Sequence, residues 1–479
     1  MWIRTATASG ALIAAIFVAP AGSASAANEG VRLPLADCKP MVKAGEHVVQ
    51  IGFTPLPDRV PSRGTVNVTA IFVDFSDAPA NLTAQAHHNS FVPQGLKIME
   101  DLSHGRVDFS VSGPHGWFRM PKPASAYAYE REMSADDHRA FIEDAIRVAD
   151  SEVDFSQTQA FIIVMPPTVK DEGYAVSPAF VRDQSSGVIA DGNVLMSGTT
   201  IGTDWQYMRK WVLAHELLHT MRLVDLYKME PTLPDQQDAW EYVGKYSMMS
   251  NYDAAYPELF AWERWVLDWI SDGQVACLGS GTNQVALDSV TTSSTGTKAA
   301  VIPLGGTRFL ALESRTRRGI DSASPEGLLP YVVDPSIGTG EGPIRVPRDW
   351  SGELMKPLTI GETLVVEGVG VEVLSRAGNS YSIKVHSPAP SPVIPGPVSG
   401  ARTQVLLSSV AVTWRPPLQT GWTEIVGYEY RVGSGPWTRT AQTRVTITGV
   451  KRGQRITVQV RAINPVGAGP ITRVVARIT

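Results

Sequence analysis

The sequence predicts a multidomain protein in which an α/β domain is followed by two β-sandwich domains. The chain has 479 residues, enough for roughly two to four domains, and its 43% hydrophobic and 19% charged residues are typical of a folded protein. Between residues 65 and 277, strand patterns alternate with helix patterns, as they do in α/β layers. Short strand patterns dominate residues 278–386 and 398–479, which predicts a β-sandwich in each range.

The first 26 residues are typical of a secretory signal peptide. Arg4 precedes the apolar run GALIAAIFVAP, and Ala24 and Ala26 form the A-x-A pattern of a cleavage site. The run is short for the roughly 30 Å of a membrane core. We therefore expect a secreted, extracellular protein without a membrane span once the signal is removed. Residues 27–64 are rich in proline and turn residues, and we expect a short pro-segment or a strap on the next domain.

Two cysteines occur in the chain, Cys38 and Cys277. Because an exported chain meets an oxidising environment, we expect them to form a disulfide bond. The alternative is that the thiolate of Cys38 caps a metal ion in a latent form, which would leave Cys277 unpaired.

The α/β domain contains two predicted buried strands, TVNVTAIFVDF and QAFIIVMPP. Two helices are predicted in QGLKIMEDLSHGRV and SADDHRAFIEDAIRVADSEV, the second with Ser134 as its N-cap. The stretch GVIADGNVLMSGTTI is typical of a strand pair joined by Asp191 and Gly192. After the first β-sandwich, residues 387–397 form a stiff proline-rich linker.

The stretch AHELLHTMRLVDLY, residues 214–227, carries the clearest chemical signal. On a helix, His215 and His219 lie four residues apart and share one face, so both imidazoles can bind one catalytic zinc ion. Glu216 can then act as the general base that takes a proton from the attacking water. The alternative reading is a core helix with two incidental histidines.

The third zinc ligand must be a carboxylate, because no histidine follows His219 until His386 in the β-rich region. We favour Asp225, which stands ten residues after His215. The alternatives lie on later segments: Glu241, Glu258 and Glu263.

Arg222 occupies a position where glycine would permit a sharp turn with positive φ. A residue other than glycine costs roughly 1 kcal/mol or more in that conformation. A metal ligand on a packed loop can offset this cost, so Arg222 weakens the motif without excluding it.

The extended HExxHxxxxxD, followed by VGKYSMMSNY and PELFAWERWVLDWI, resembles the immune inhibitor A-like secreted zinc metallopeptidases. The resemblance covers roughly residues 66–385. It implies a metzincin-like α/β protease domain and a turn beneath the metal that carries Met249, with Met248 as its neighbour. Arg222 in place of glycine and the short N-terminal segment depart from the family pattern.

Two further features are candidates for substrate contacts. In the extended-motif zinc enzymes a strand above the cleft pairs with the substrate main chain, and the candidate rim here is Asn193, Val194, Leu195 and Met196. Tyr252 is a candidate for stabilising the oxyanion. The alternative for the rim residues is an ordinary edge hairpin, and the alternative for Tyr252 is a tyrosine that only packs.

The last domain resembles fibronectin type III, on Trp414 in VAVTW and on VRAINPVGAGP. Ile456 stands where the tyrosine corner is expected. The resemblance implies spacing, shielding or binding of an extracellular surface ligand.

These patterns favour a secreted zinc-dependent endopeptidase that hydrolyses peptide bonds of proteins. The alternatives are an inactive, protease-derived binding or adhesion protein and an aminopeptidase. The net charge of -5 argues against nucleic acid as a main partner. Nothing in the sequence indicates a calcium site.

Overall fold

The computed structural model describes residues 29–42, 51–229, 240–250, 258–349, 352–406 and 409–478. The predicted signal peptide and Tyr252 lie outside these ranges. Within them, no helix has both the length and the apolar character needed to cross a bilayer.

The described chain contains five α-helices and 25 strands. The helices are α1 (Ala84–Leu102), α2 (Ala135–Ala149), α3 (Trp205–Met208), α4 (Lys210–Thr220) and α5 (Ala261–Val266). The strands of the α/β domain are β1 (Gly64–Asp74), β2 (Val107–Ser112), β3 (Trp117–Arg119), β4 (Ala160–Val164), β5 (Ala179–Val181), β6 (Val188–Ala190), β7 (Asn193–Leu195) and β8 (Ser197–Ile201).

The first β-sandwich is built from β9 (Val275–Cys277), β10 (Gly281–Asp288), β11 (Ala299–Gly305), β12 (Arg308–Arg315), β13 (Gly327–Val333), β14 (Ile344–Arg345), β15 (Thr363–Val366), β16 (Val369–Ala377) and β17 (Ser380–Ser387). The C-terminal domain is built from β18 (Val398–Leu406), β19 (Ser409–Pro417), β20 (Gly427–Val432), β21 (Thr438–Thr440), β22 (Arg444–Thr448), β23 (Arg455–Asn464), β24 (Gly467–Ala468) and β25 (Thr472–Arg477).

The α/β domain has a central sheet in the order β2-β1-β4-β8-β5, with β3 also paired to β1. All of these strands are parallel except β5, which runs antiparallel to β8 at the edge. Because successive side chains of a strand point to opposite faces, β1 supplies two cores. Val68 and Phe72 pack with α1 and α4, whereas Ile71 and Val73 pack with α2.

Two local signals in this domain form as predicted, whereas the helix predicted in residues 94–107 begins earlier, at Ala84, and ends at Leu102. Ser134 caps α2, since its Oγ accepts a hydrogen bond from the backbone N–H of Asp137 at 3.1 Å. Asp191 and Gly192 join β6 to β7 with φ values of 48° and 74°, the two positive values that a tight type I′ hairpin requires.

The first β-sandwich shares one of its sheets with the α/β domain. A five-stranded sheet, β14-β13-β12-β11-β9, and a four-stranded sheet, β10-β17-β16-β15, enclose its core. The other face of the five-stranded sheet packs on the helix α5, where Trp262 lies 5.5 Å from Phe309 between ring centroids. The two domains that were expected to meet after residue 277 are therefore joined by a continuous packed layer.

Cys38 and Cys277 form the predicted disulfide bond. This excludes Cys38 as a thiolate cap on a metal. The disulfide anchors the N-terminal strap, by which we mean the described residues 29–42 and 51–63. Phe53 of the strap lies 4.4 Å from Trp265 between ring centroids, and the indole N–H of Trp262 donates to the carbonyl oxygen of Ile51 at 2.8 Å. The strap is therefore part of the hydrophobic core.

The C-terminal domain is a fibronectin type III-like sandwich. A three-stranded sheet, β18-β19-β22, faces a second sheet, β21-β20-β23-β25, with the short β24 paired to β23. Trp414 and Tyr428 meet in the core with ring centroids 5.7 Å apart, and Ile456 fills the position of the missing tyrosine corner.

Candidate metal centre

Helix α4 contains the HExxH motif and is largely buried. It packs against α1 and against the strands β8 and β5, and nearly all of its residues are buried, including His215 and Glu216. His215 and His219 are one helical turn apart, with ring centroids 4.8 Å from each other. The helix thus presents both imidazoles on one side, as the spacing predicts.

Three side-chain atoms converge beside α4. The Nε2 atoms of His215 and His219 are 3.2 Å apart. Oδ1 of Asp225 lies 3.1 Å from Nε2 of His215 and 3.3 Å from Nε2 of His219. The structure therefore brings together the three residues that the sequence selected as metal ligands.

The hydrogen bonds of the two imidazoles fix which nitrogen carries the proton. Nδ1 of His215 lies 3.0 Å from the carbonyl oxygen of Met248, and Nδ1 of His219 lies 2.9 Å from that of Leu223. Because a carbonyl oxygen only accepts, each Nδ1 must be the donor. In the neutral rings both Nε2 atoms therefore present lone pairs to each other and to the carboxylate.

Three electron pairs that face one point repel each other unless a metal ion or a proton lies between them. A tetrahedral zinc ion with bonds of about 2.0–2.1 Å holds its ligand atoms roughly 3.4 Å apart. The observed separations of 3.1, 3.2 and 3.3 Å are close to that value. The residues present therefore fit a zinc ion with three protein ligands.

The turn after α4 is a Schellman motif with Arg222 in the position usually held by glycine. The N–H of Leu223 donates to the carbonyl oxygen of Leu218 at 3.0 Å, and the N–H of Arg222 donates to that of His219 at 2.9 Å. Arg222 has φ of 112°. The sharp turn that the motif needs is thus formed without glycine.

The side chain of Arg222 offsets part of the strain in its backbone. Its Nη2 donates to the carbonyl oxygens of Gly52 and Thr54 at 2.7 and 2.9 Å. Hydrogen bonds from a charged donor stabilise by about 1.5–3 kcal/mol, more than the roughly 1 kcal/mol cost of a positive φ. Arg222 therefore connects the N-terminal strap to the turn that leads to Asp225.

A loop of the first β-sandwich, residues 334–343, holds Asp225 in place. The backbone N–H of Asp225 donates to Oγ1 of Thr339 at 3.0 Å, and that hydroxyl lies 3.4 Å from Oδ2 of Asp225. Gly340 donates its N–H to the carbonyl oxygen of Asp225 at 3.0 Å. Sequence reasoning missed Thr339 and Gly340, because no local motif marks them.

The predicted methionine turn occupies residues 247–250, with Met248 and Met249 both fully buried. The carbonyl oxygen of Met248 orients His215, as described above. The carbonyl oxygen of Met249 accepts a hydrogen bond from the N–H of Leu226 at 2.8 Å. The turn therefore fixes both the first histidine and the segment that carries Asp225.

Glu216 is close to the histidines but farther away than Asp225. Its carboxylate lies within 4.8 Å of the ligand atoms of His215 and His219. The shorter contacts of Asp225 favour it as the ligand and leave Glu216 for acid–base chemistry.

Burial and the neighbouring charges shift the pKa values of this cluster. Burial raises the pKa of Glu216 to about 7, against the opposing charges of His215 and His219. Burial would lower the pKa of His219, but the neighbouring Asp225 raises it to about 9. Burial would raise the pKa of Asp225, but His219 and His215 hold it well below its usual range.

The alternative carboxylates have partners elsewhere. Glu241 pairs with Lys228 at 3.0 Å, and Glu258 pairs with the buried Arg264. Glu263 accepts hydrogen bonds from the backbone N–H of Phe260 and from Oγ of Ser247, at 2.8 and 2.9 Å. Of the four carboxylates considered, Asp225 is the one placed against both histidines.

The predicted substrate rim is corrected by the fold. Asn193, Val194 and Leu195 form β7, and Met196 follows it. The amide of Asn193 donates to the carbonyl oxygens of Phe155 and Thr158 at 3.0 and 2.9 Å, and Leu195 joins the core on the α2 side. The hairpin is thus used for packing on the face of the sheet opposite α4.

The antiparallel edge strand beside α4 is β5 instead. The N–H of Arg182 donates to the carbonyl oxygen of Met196, just before β8, and the carbonyl oxygen of Pro178 accepts from the N–H of Thr200 in β8. In an antiparallel pair the intervening residues direct their backbone groups to the other side. Ala179 and Val181 therefore face the outer edge, where no strand of the described chain pairs.

Comparisons with known proteins cover small parts of the chain. No protein-family model matches it. Cardiac-type myosin-binding protein C of Gallus gallus is 33% identical over 128 residues, which are 24% of this chain and 10% of that protein. The chain thus spans about a tenth of the length of the curated relative it matches.

Solved structures with similar parts include the twitchin kinase region from C. elegans, with 21% identity, a TM-score of 0.17, and coverage of 18% of this chain and 17% of that one. Another is the fn3 domain of human collagen alpha-1(XX) chain, with 20% identity, a TM-score of 0.16, and coverage of 19% and 90%. Each of these three matches covers at most 24% of this chain.

Proposed function

We propose that this chain is a zinc-dependent endopeptidase of the immune inhibitor A-like kind, acting outside the cell. The observation that carries the proposal is the convergence of Nε2 of His215, Nε2 of His219 and Oδ1 of Asp225 within 3.1–3.3 Å, with both histidine tautomers set for metal binding. The signal-like first 26 residues support an exported location.

His215, His219 and Asp225 would hold the ion. Bound zinc supplies Lewis acidity, which makes water more acidic and polarises a peptide carbonyl. Glu216 accepts the proton of the attacking water and later delivers it to the leaving amine. Its burial raises its pKa to about 7, so both proton acceptance and proton donation are accessible near neutral pH.

An extended peptide would bind along the outer edge of β5. The backbone groups of Ala179 and Val181 face outward there, and β5 lies against α4. Main-chain pairing of this kind accepts many sequences, because it reads the backbone rather than the side chains.

The experiment compares zinc content and casein hydrolysis in the wild type, Glu216→Gln and Asp225→Ala. The wild type should contain one zinc per chain and lose activity to a chelator. Glu216→Gln should keep the zinc but lose activity by about 10²–10⁴-fold, the usual contribution of a general base. Asp225→Ala should lose both.

Other results would contradict the proposal. A wild type that hydrolyses casein equally with and without chelator is not a zinc peptidase. If only peptides with a free N-terminus are cleaved, the enzyme is an aminopeptidase. The alternative of an inactive binding protein was motivated by Arg222, and zinc-free wild-type protein would favour it. Because Arg222 forms the required turn, that motivation is removed.

A further inference from the structure

The last domain has a net positive charge, unlike the rest of the chain. Residues 398–479 contain eleven lysines and arginines, ten of them arginine, but only two acidic residues, Glu424 and Glu429. The domain therefore carries a net charge of +9, whereas the rest of the chain carries -14, together giving the overall -5. The last domain is therefore strongly basic, although the net charge of the whole chain is negative.

Strand pairing places six of these arginines on one surface. Residues directly opposite each other in an antiparallel sheet share a face. The pairs Glu429–Arg439, Glu429–Arg461 and Gln459–Arg473 therefore line the outer face of the sheet β21-β20-β23-β25. The arginine face, as we call it, consists of Arg431, Arg439, Arg455, Arg461, Arg473 and Arg477.

The arginine face is only weakly neutralised. Glu429 pairs with Arg461 at 2.6 Å and with Arg439 at 3.4 Å. Arg455, Arg473 and Arg477 are exposed, and no carboxylate in the described parts of the chain forms an ion pair with them.

Two of the strand neighbours on this face carry the same charge. Arg455 lies directly opposite Arg477. Like charges in this position destabilise a sheet. The face therefore carries a cost in folding free energy that a bound anion would relieve.

Trp437 organises one end of the face. The guanidinium groups of Arg431 and Arg461 lie over its ring, 4.5 and 4.1 Å from the ring centroid. Contact with the ring holds these planar groups in place, and a guanidinium group can bind an oxyanion through two parallel hydrogen bonds. About 20 Å separate Arg455 from Arg461 along β23, at roughly 3.3 Å per residue. The face is therefore an elongated surface with repeated anion-binding groups.

We propose that the arginine face binds an anionic polysaccharide, a chain with sulfate or phosphate groups at regular intervals. Charge complementarity along an elongated flat surface favours a linear polyanion. Single-stranded nucleic acid needs aromatic rings for base stacking, but Trp437 is already covered by arginines. Binding in a bilayer interface needs an apolar face, and Val475 is the exposed apolar residue between Arg473 and Arg477. The proposal does not depend on the metal centre.

The test measures binding of the full chain to immobilised dextran sulfate, with unsulfated dextran as the control polymer. One variant combines Arg455→Gln, Arg473→Gln and Arg477→Gln. The matched control combines Arg402→Gln, Arg415→Gln and Arg444→Gln, which removes the same charge from exposed positions of the other sheet. Thermal unfolding of both variants confirms that the domain remains folded.

The wild type should bind dextran sulfate but not dextran, with affinity that falls as salt rises. The arginine-face variant should bind at least about tenfold more weakly at 0.15 M salt and show a smaller salt dependence, while the matched control stays within about threefold of the wild type. Equal weakening of both variants would show an effect of net charge alone and overturn the proposal. Tighter binding of duplex DNA or phosphatidylserine vesicles than of dextran sulfate would overturn the choice of ligand.

Discussion

Arg222 donates a hydrogen bond from its Nη2 to the carbonyl oxygen of Gly52 at 2.7 Å, across 170 positions of the chain. The bond joins the turn behind the HExxH helix to the N-terminal strap. It explains how a residue other than glycine is accommodated at φ of 112° in a turn that must deliver Asp225 to the histidines.

Replacing Arg222 separates the backbone effect from the side-chain effect. Arg222→Ala loses the hydrogen bonds and keeps the strained φ, so we expect unfolding free energy to fall by about 2 kcal/mol or more. Arg222→Gly also loses the hydrogen bonds but relieves the strain, so it should be about 1 kcal/mol more stable than the alanine variant. Urea unfolding measures both, and an alanine variant as stable as the glycine variant would contradict this account.

Thr339 should control zinc affinity without touching the ion. Thr339→Val removes the hydroxyl that contacts the N–H and Oδ2 of Asp225, so the carboxylate loses its orientation. We expect zinc affinity about 10–100-fold lower, the usual effect of removing a partner of a metal ligand. Thr339→Ser retains the hydroxyl and should bind zinc like the wild type. Competition with a chromogenic chelator gives the affinities, and equal loss in both variants would indicate a packing effect instead.

Zinc removal should destabilise the folded chain. A ligand that binds only the folded state at 100 times its Kd adds about 2.7 kcal/mol to the unfolding free energy. The wild type should therefore melt at a lower temperature after dialysis against a chelator and recover when zinc is added. Asp225→Ala should show no difference between the two conditions. A zinc-dependent shift of the same size in that variant would argue that the metal binds elsewhere.

Acid should destabilise the α/β domain through His87 and His138. Both are buried, and burial lowers the pKa of each to about 4 from an ordinary 6.5. Between pH 4 and pH 6.5 the unfolded chain binds more protons than the folded chain. The contribution of these histidines to the free energy of unfolding is therefore most favourable above pH 6.5, and it is lost as the pH falls toward 4. This difference in proton binding lowers the free energy of unfolding by at most about 3 kcal/mol per histidine.

Urea unfolding at pH 7 and pH 5 measures this effect. His138→Gln should reduce the loss of stability between the two pH values, because it removes one of the two buried groups. His115→Gln, at an exposed position, is the matched control and should leave the loss unchanged. An unchanged loss in the His138 variant would show that other groups cause the acid sensitivity.

Features set by short stretches of chain could be predicted from the sequence. The spacing of His215 and His219 fixes their common face because a helix brings residues four apart onto the same side. The N-cap of α2 at Ser134 and the hairpin turn at Asp191 and Gly192 depend on a few neighbouring residues. The strands of the α/β layer follow from their own hydrophobic patterns.

Features set by contacts between distant segments could not be predicted in this way. The hairpin of β6 and β7 packs on the α2 side of the sheet, which could not be predicted, because the sequence does not say which strand occupies the edge beside α4. Thr339 contacts Asp225 across 114 positions. The arginines of the last domain were visible in the sequence, but their common face depends on the register of β20, β23 and β25.

The sequence by itself determined the common face of His215 and His219 and the disulfide partners. Local backbone geometry and residue chemistry are enough for these, because each depends on neighbours in the chain or on there being only two cysteines. The tertiary structure decided that Asp225 is the third residue of the cluster and that Arg222, Thr339 and the methionine turn hold it there. These relationships depend on long-range packing and strand register, which form only when the separate segments of the chain are brought together.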